Sequence, residues 1–269
     1  RQRSVLTTDR TFRFALGGNG SGKTTLGSWW IAQGLIGWDP ITKTPVDRNP
    51  REIFNCIASG PGFDHVIHQM MPAVRQWIPE AMFKEFKGDR IWESTDPHNP
   101  WTLRFKSVDQ GAEKYQGAEI HRIWQDAEVR DQDVWSEMLA RTFRRLGDIM
   151  CTMTAWQGTQ WMHSWIFTPD YYDMDAKFWV QIPVYDNPYY QFCRCSYPKE
   201  AHDKDGICRV EDAMCTGFDN SAGAKKLERM KRQYRGVEYA IRVEGEYRLL
   251  AGHPVIAPDV RKKHQDLRK

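Results

Sequence analysis

The chain has 269 residues, 41% of them hydrophobic and 27% charged, which is enough apolar material for a full core and excludes a disordered or fibrous chain. Its apolar runs fall far short of the roughly 20 residues that a membrane-spanning helix needs, so no spanning segment is expected. The net charge of +3 hides an asymmetry: residues 221–269 carry 13 Lys/Arg against 6 Asp/Glu, a basic end that suits a polyanion or a solvated charged helix equally well.

Thr11–Leu16 alternates and is rich in β-formers; a glycine cluster follows, then Lys23–Gly37 with the pattern of a helix. Glu52–Ala58 reads as a second buried strand, and Phe63–Trp77 as a helix with Val66, Met70, Val74 and Trp77 at helical spacing. Arg90–Ser94 and Trp101–Ser107, joined by the turn-rich TDPHNP, read as a hairpin. Ile120–Gln125 is the next core strand, then come a helix over Asp133–Leu146 and strands over Ile149–Thr154 and Phe178–Val184. Strands alternating with helices predict an α/β fold with a mainly parallel sheet flanked by helices. Beyond Asp186 the periodicity changes, with a cysteine-bearing loop and a helix from about Ala222 to Tyr234. The expected organisation is therefore a first domain over 1–185, a smaller linker or lid subdomain over 186–250, and a basic tail over 251–269. The chain opens on Arg-Gln-Arg and closes on a charged run, which reads as a piece of something longer.

Cys56 and Cys151 fall in apolar strands and are expected in the core. Cys193, Cys195, Cys208 and Cys215 cluster within 23 residues of polar sequence. Four thiolates can close a tetrahedral Zn²⁺ site, although this spacing matches no standard finger and free thiols fit as well.

Gly17-Gly18-Asn19-Gly20-Ser21-Gly22-Lys23-Thr24 fits GxxxxGK[ST] between a predicted strand and a predicted helix, the context that gives the motif meaning. Glycines let successive N–H groups turn inward on phosphate oxygens, and the helix start adds its positive end. Lys23 is expected on the β- and γ-phosphates, Thr24 on Mg²⁺, and Thr25 in the same first turn. Hydrolysis needs two more groups, a metal-side acid and a group that activates water. Asp126, closing an apolar strand, is the natural metal-side acid. Ala127 follows it and cannot activate water. Residues two apart on a strand share a side, so Glu128 is expected to face the way Asp126 does and is the candidate acid.

These residues resemble the large terminase subunit of tailed bacteriophages, the ATPase that drives DNA into the procapsid. The loop GGNGSGKT, the stretch FKSVDQGAEKYQG (Phe105–Gly117), IWQDAEV (Ile123–Val129), MCTMTAWQGTQW (Met150–Trp161), YDNP (Tyr185–Pro188) and GEYRLLAGHPV (Gly245–Val255) are similar, in order, to that family's motifs. The resemblance implies an ASCE-type P-loop NTPase. It implies ATP and Mg²⁺ at Gly17–Thr25 and Asp126, and a coupling role for Thr152 and Thr154. Double-stranded DNA, the portal ring of the procapsid and the small terminase subunit are the implied partners of a homo-oligomeric ring in the cytoplasm of a bacterial host, with no membrane involved. It also implies that a nuclease domain begins near Gly252–Val255, so that nuclease activity is not expected of this chain alone.

Two departures stand out. Gly20 occupies a position where the family usually carries Arg, leaving Arg130, Arg141, Arg144 and Arg145 as candidates to supply that charge, also across a subunit boundary. Ala127 occupies the place of the family's catalytic Glu. The leading expectation is an ATP-driven DNA translocase; the alternative is a nucleotide-dependent assembly or clamp module with impaired hydrolysis.

Overall fold

A computed structural model describes residues 2–39, 42–46, 48–49, 52–155, 159–168, 176–184, 187 and 228–248. Helix α1 (Gln2–Thr7) leads into strand β1 (Phe12–Gly17), the phosphate-loop motif and helix α2 (Lys23–Ile36). A two-residue hairpin, β2 (Trp38–Asp39) with β3 (Thr44–Pro45), precedes β4 (Phe54–Gly60). A helical run follows, α3 (Phe63–His65), a π-helical Val66–Met70 and α4 (Met71–Arg75). Strands β5 (Phe83–Phe86), β6 (Ile91–Ser94) and β7 (Trp101–Ser107) lead by 3₁₀ turns to β8 (Arg122–Asp126). Helix α5 (Gln132–Phe143), β9 (Asp148–Met153), α6 (Gln160–Phe167), β10 (Lys177–Ile182) and the Gly236–Arg242 helix complete the order.

Eight strands form one sheet in the order β10-β1-β9-β8-β4-β7-β6-β5. The six from β10 to β7 run parallel, and β6 and β5 add an antiparallel edge. The predicted hairpin is β6–β7. Sequence reading missed β5, α1 and α6, each a short element with little periodicity to read.

Both faces of the sheet are covered, as a parallel sheet requires. Ala15, Cys56, Ala58, Trp124 and Met150 join Leu26, Trp30, Ile31 and Leu35 of α2 on one face. Their strand neighbours Leu16, Ile57, Ile123 and Cys151 join Trp135 and Met138 of α5 and Trp165 of α6 on the other. Cys56 and Cys151 are free and fully buried, and burial drives the Cys56 thiol up to about 12, so it stays protonated and packs as a hydrophobe.

Helix α2 is bounded by Gly22 (φ 88°) and Gly37 (φ 80°), left-handed conformations that glycine adopts without a steric cost. Within it, Gly27 lets the helix lie directly on β8: a Cβ there would stand 2.0 Å from Trp124 Nε1. Even alanine at that position would force the helix and the indole apart.

Candidate active site

Parallel strands carry the exposed ends of their βα turns at the C-terminal edge of the sheet, and ligands of open α/β sheets bind there. The phosphate loop leaves β1 at this edge, between β9 and β10. Its helix follows at once, so the first-turn N–H groups of Lys23, Thr24 and Thr25 have no acceptor within α2. Lys23 donates to the Gly18 carbonyl at 2.7 Å. Burial brings its pKa down to about 8, against the pull of the Asp126 carboxylate. A desolvated ammonium beside free backbone donors is a site short of negative charge. The Ser21 hydroxyl is fully buried and has no hydrogen-bond partner among the described residues, an orphan that a phosphate oxygen would satisfy.

Asp126 ends β8 and is 3% exposed. Its Oδ2 accepts from the Thr24 hydroxyl at 3.0 Å and lies 2.9 Å from His65 Nε2. Its Oδ1 accepts from the Thr152 hydroxyl at 2.7 Å, and Thr152 Oγ1 accepts in turn from Trp124 Nε1 at 2.7 Å. The tip of β9 thus touches the acid through Thr152 and the phosphate loop through Thr154, which donates to the Gly17 carbonyl at 2.9 Å.

The extended alternation that would turn Asp126 and Glu128 to one side stops at Ala127, whose φ is 80° while its N–H still bonds to the Thr152 carbonyl. Glu128 is 6% exposed and its Oε1 accepts from the Thr159 N–H at 2.6 Å and from the Tyr247 hydroxyl. Its Oε2 has no partner among the described residues. A cavity of about 360 Å³ beside it is lined by Gly62, Asp109, Arg130 and Asp131.

The segment after β10 closes on the same edge. Asn19 N–H donates to the Arg242 carbonyl at 2.7 Å and Gly18 N–H to that of Ile182. Gly245 (φ 72°) packs backbone to backbone, since a Cβ there would lie 2.6 Å from Gly17 Cα. Asn187, from the YDNP stretch, donates to the Gly20 carbonyl at 2.6 Å. On the other flank Gln2 donates to the Ser21 carbonyl at 2.8 Å. Beside it opens a cavity of about 490 Å³ lined by Gln2, Arg3, Leu6, Thr25, Leu26 and Trp29.

Arg144 and Arg145 stand at the opposite edge of the sheet, paired with Glu119, which precedes β8, and in the case of Arg145 also with Glu52, which precedes β4. Arg141 pairs with Glu137 on α5 at 2.9 Å. Of the four arginines only Arg130 lies beside Glu128. Cys193, Cys195, Cys208 and Cys215 lie outside the described residues, as does most of the expected 186–250 subdomain. Among the described residues, no group of three or more His, Cys, Asp or Glu side chains could hold a metal, and no helix is long and apolar enough to cross a membrane. One carboxylate and one hydroxyl, Asp126 and Thr24, do fit Mg²⁺, which takes few protein ligands and completes its shell with water and phosphate oxygens.

The family described as terminase large subunit, T4likevirus-type, N-terminal, matches residues 14–246. The chain belongs to the large terminase family. The large terminase of a thermophilic bacteriophage is similar in fold, with a TM-score of 0.59 at 13% identity over 91% of this chain and 52% of that one. The ADP complex of the same phage protein gives 0.59 at 14% identity over the same shares. The ATPase domain of the Thermus phage P74-26 large terminase gives 0.54 at 12%, over 92% of each chain. This terminase chain thus spans about half the length of the first of these proteins and nearly all of the separate P74-26 ATPase domain. No curated protein sequence matches it.

Four contributors to the site were not read from the sequence. His65 was hidden because a histidine shortly after a Pro-Gly turn has no motif, yet the first turn after any strand of a parallel sheet faces the ligand edge. Trp124 looked like core, and is, but its indole N–H also serves Thr152. Gln2 and Tyr247 come from outside the Gly17–Trp161 stretch, and only tertiary folding brings them in.

Proposed function

We propose that this chain binds ATP with Mg²⁺ and hydrolyses it to move double-stranded DNA, as the motor part of a large terminase. The observation that carries the reading is the convergence of Thr24, Thr152 and His65 on the Asp126 carboxylate, next to a phosphate loop with a buried ammonium and an orphaned hydroxyl. Gly17–Thr25 wraps the phosphates, and their charge restores the Lys23 ammonium that burial disfavours. The cavity between α1 and α2 receives the base, where Leu6, Leu26 and Trp29 offer apolar cover. Thr24 and Asp126 would hold Mg²⁺, which when bound would supply positive charge against the phosphates. Glu128 accepts the proton of the attacking water. Thr152 and Thr154, on one strand tip, link the acid to the phosphate loop, so a change at the γ-phosphate is felt by β9 and by the segment lying on the loop. The DNA contacts are to phosphates, hence salt-dependent and indifferent to sequence. The portal ring, the small subunit and further copies of this chain complete the assembly.

ATP turnover with and without duplex DNA tests this directly. Saturable hydrolysis, together with DNA affinity that falls with salt and is alike for unrelated sequences, is the expected result; strict sequence preference counts against translocation. Ala127 supports a second reading, a clamp that binds ATP and assembles without turning it over. Comparing the chain with Ala127→Glu separates the two. Turnover that appears only in the substituted chain favours the clamp.

A further inference from the structure

Glu128 is anchored unevenly. Two donors converge on Oε1, the Thr159 N–H at 2.6 Å and the Tyr247 hydroxyl, while Oε2 is buried without a partner among the described residues. A buried carboxylate oxygen with no donor costs more free energy than a hydrogen bond returns, so it persists where a ligand or water completes it. We propose that Tyr247 is a positioning residue for hydrolysis: by holding one oxygen of Glu128 it presents the other to the attacking water. The inference rests on Glu128 as the water-activating acid.

Tyr247 is itself firmly seated. Its ring stands edge-on to His163 and to Phe167 of α6, with centroids 5.2 Å and 5.9 Å away, and its oxygen also lies 3.0 Å from the Thr159 carbonyl. Burial, then the Glu128 charge, holds the phenol far above its ordinary pKa, so the proton it donates is retained throughout the assay range. Two residues upstream Gly245 abuts Gly17 and Gly18, and the Arg242 carbonyl takes the Asn19 N–H. One short segment therefore touches both the phosphate loop and the acid. Docking this segment orients Glu128, and lifting it leaves the carboxylate free to turn about its own side-chain bonds. A misoriented base lowers the rate of the chemical step without weakening nucleotide binding.

The test is steady-state ATPase kinetics on the full chain with Tyr247→Phe, Glu128→Gln, the double variant, and Thr159→Pro. Thr159 has φ −62° and its hydroxyl makes no capping hydrogen bond; proline shares that φ, so this last change removes the other donor along with that hydroxyl. Each variant is also assessed by thermal melting and ADP binding. Tyr247→Phe is expected to lower kcat about tenfold with KM and ADP affinity within about twofold, since loss of orientation acts on the chemical step. Thr159→Pro is expected to act in the same sense. In the Glu128→Gln background, removal of the hydroxyl should have no further effect on the residual rate. If Glu128→Gln abolishes turnover while folded Tyr247→Phe keeps the parental kcat, the inference fails and the role of Glu128 stands. If Glu128→Gln turns over like the parent, Glu128 is not the acid and both fall. Should Tyr247→Phe not fold, Thr159→Pro decides: an unchanged kcat overturns anchoring through Oε1, and a reduced kcat with unchanged KM supports it.

Discussion

The two edges of the parallel sheet are built from similar residue types and differ in how completely their charges are paired. At the N-terminal edge, Arg13 meets Asp148 at 3.2 Å, Arg145 bridges Glu52 and Glu119, Arg122 caps the Trp30 carbonyl at 2.9 Å, and His121 accepts the Asn55 N–H at 3.1 Å. At the C-terminal edge, Ser21 Oγ and Glu128 Oε2 are buried without partners among the described residues, and Lys23 is desolvated beside a backbone carbonyl. One edge pairs its charges and so holds strands in place. The other keeps buried polar atoms without partners among the described residues, a pattern that suits polar ligand recognition.

Breaking the open edge should stop function and spare the fold. Lys23→Ala and Asp126→Ala are each expected to cut ATP turnover by about 10² to 10³-fold, as loss of a preorganised charge does, with little change in melting temperature; a folded variant that keeps its turnover would remove that residue from the reaction. Breaking the closed edge should do the reverse. Arg13→Met removes the hydrogen-bonding partner of a partly buried Asp148, which keeps the Arg122 charge nearby, and is expected to cost about 1.5–3 kcal/mol in denaturant unfolding, while turnover per folded molecule is unchanged.

Gly27→Ala tests the boundary between the two edges. The added methyl meets Trp124, whose indole N–H holds Thr152 against Asp126. A cost of about 1–3 kcal/mol is expected from overpacking, together with slower turnover, because the displaced indole lets Thr152 turn away. Stability loss without any change in kcat would show that Trp124 is only core.

The smallest expected effect is on pH. Burial holds His121 and His163 below the ordinary value of 6.5, with the Arg145 charge adding to the effect at His121. The unfolded chain therefore binds these protons first as pH falls, so stability declines from about 6.5 downward and is fully present above it. Replacing either histidine by Gln should flatten the acid limb of a melting curve; an unchanged limb would show that neither side chain controls it.

The contrast between edges also explains what was legible beforehand. Helix α2 and strands β1, β4, β7, β8 and β9 are long and buried on both faces, so apolar runs marked them, and GGNGSGKT fixed the loop between two of them. The place of Asp126 was readable because the apolar run of β8 ends on it. Partnerships were not readable. His65 meets Asp126 through a helix that widens into a π-turn at Val66–Met70, and Tyr247 reaches Glu128 from 119 residues away. Nor did alternation foretell Ala127, where a left-handed residue ends the strand pattern one position after Asp126.

Among the described residues strand β1 pairs with β9 and β10, so the phosphate loop hangs from a strand whose neighbours are not synthesised until residue 148 and beyond. During synthesis an apolar segment waits through most of the chain for the partners that fix it, and contacts this distant form slowly. The part of the sequence with the clearest signature therefore cannot complete its strand pairing until β9 and β10 have been made. A nascent fragment ending before β9 would carry the whole GGNGSGKT motif, with α2 able to pack on β4 and β8 but β1 still without its strand neighbours.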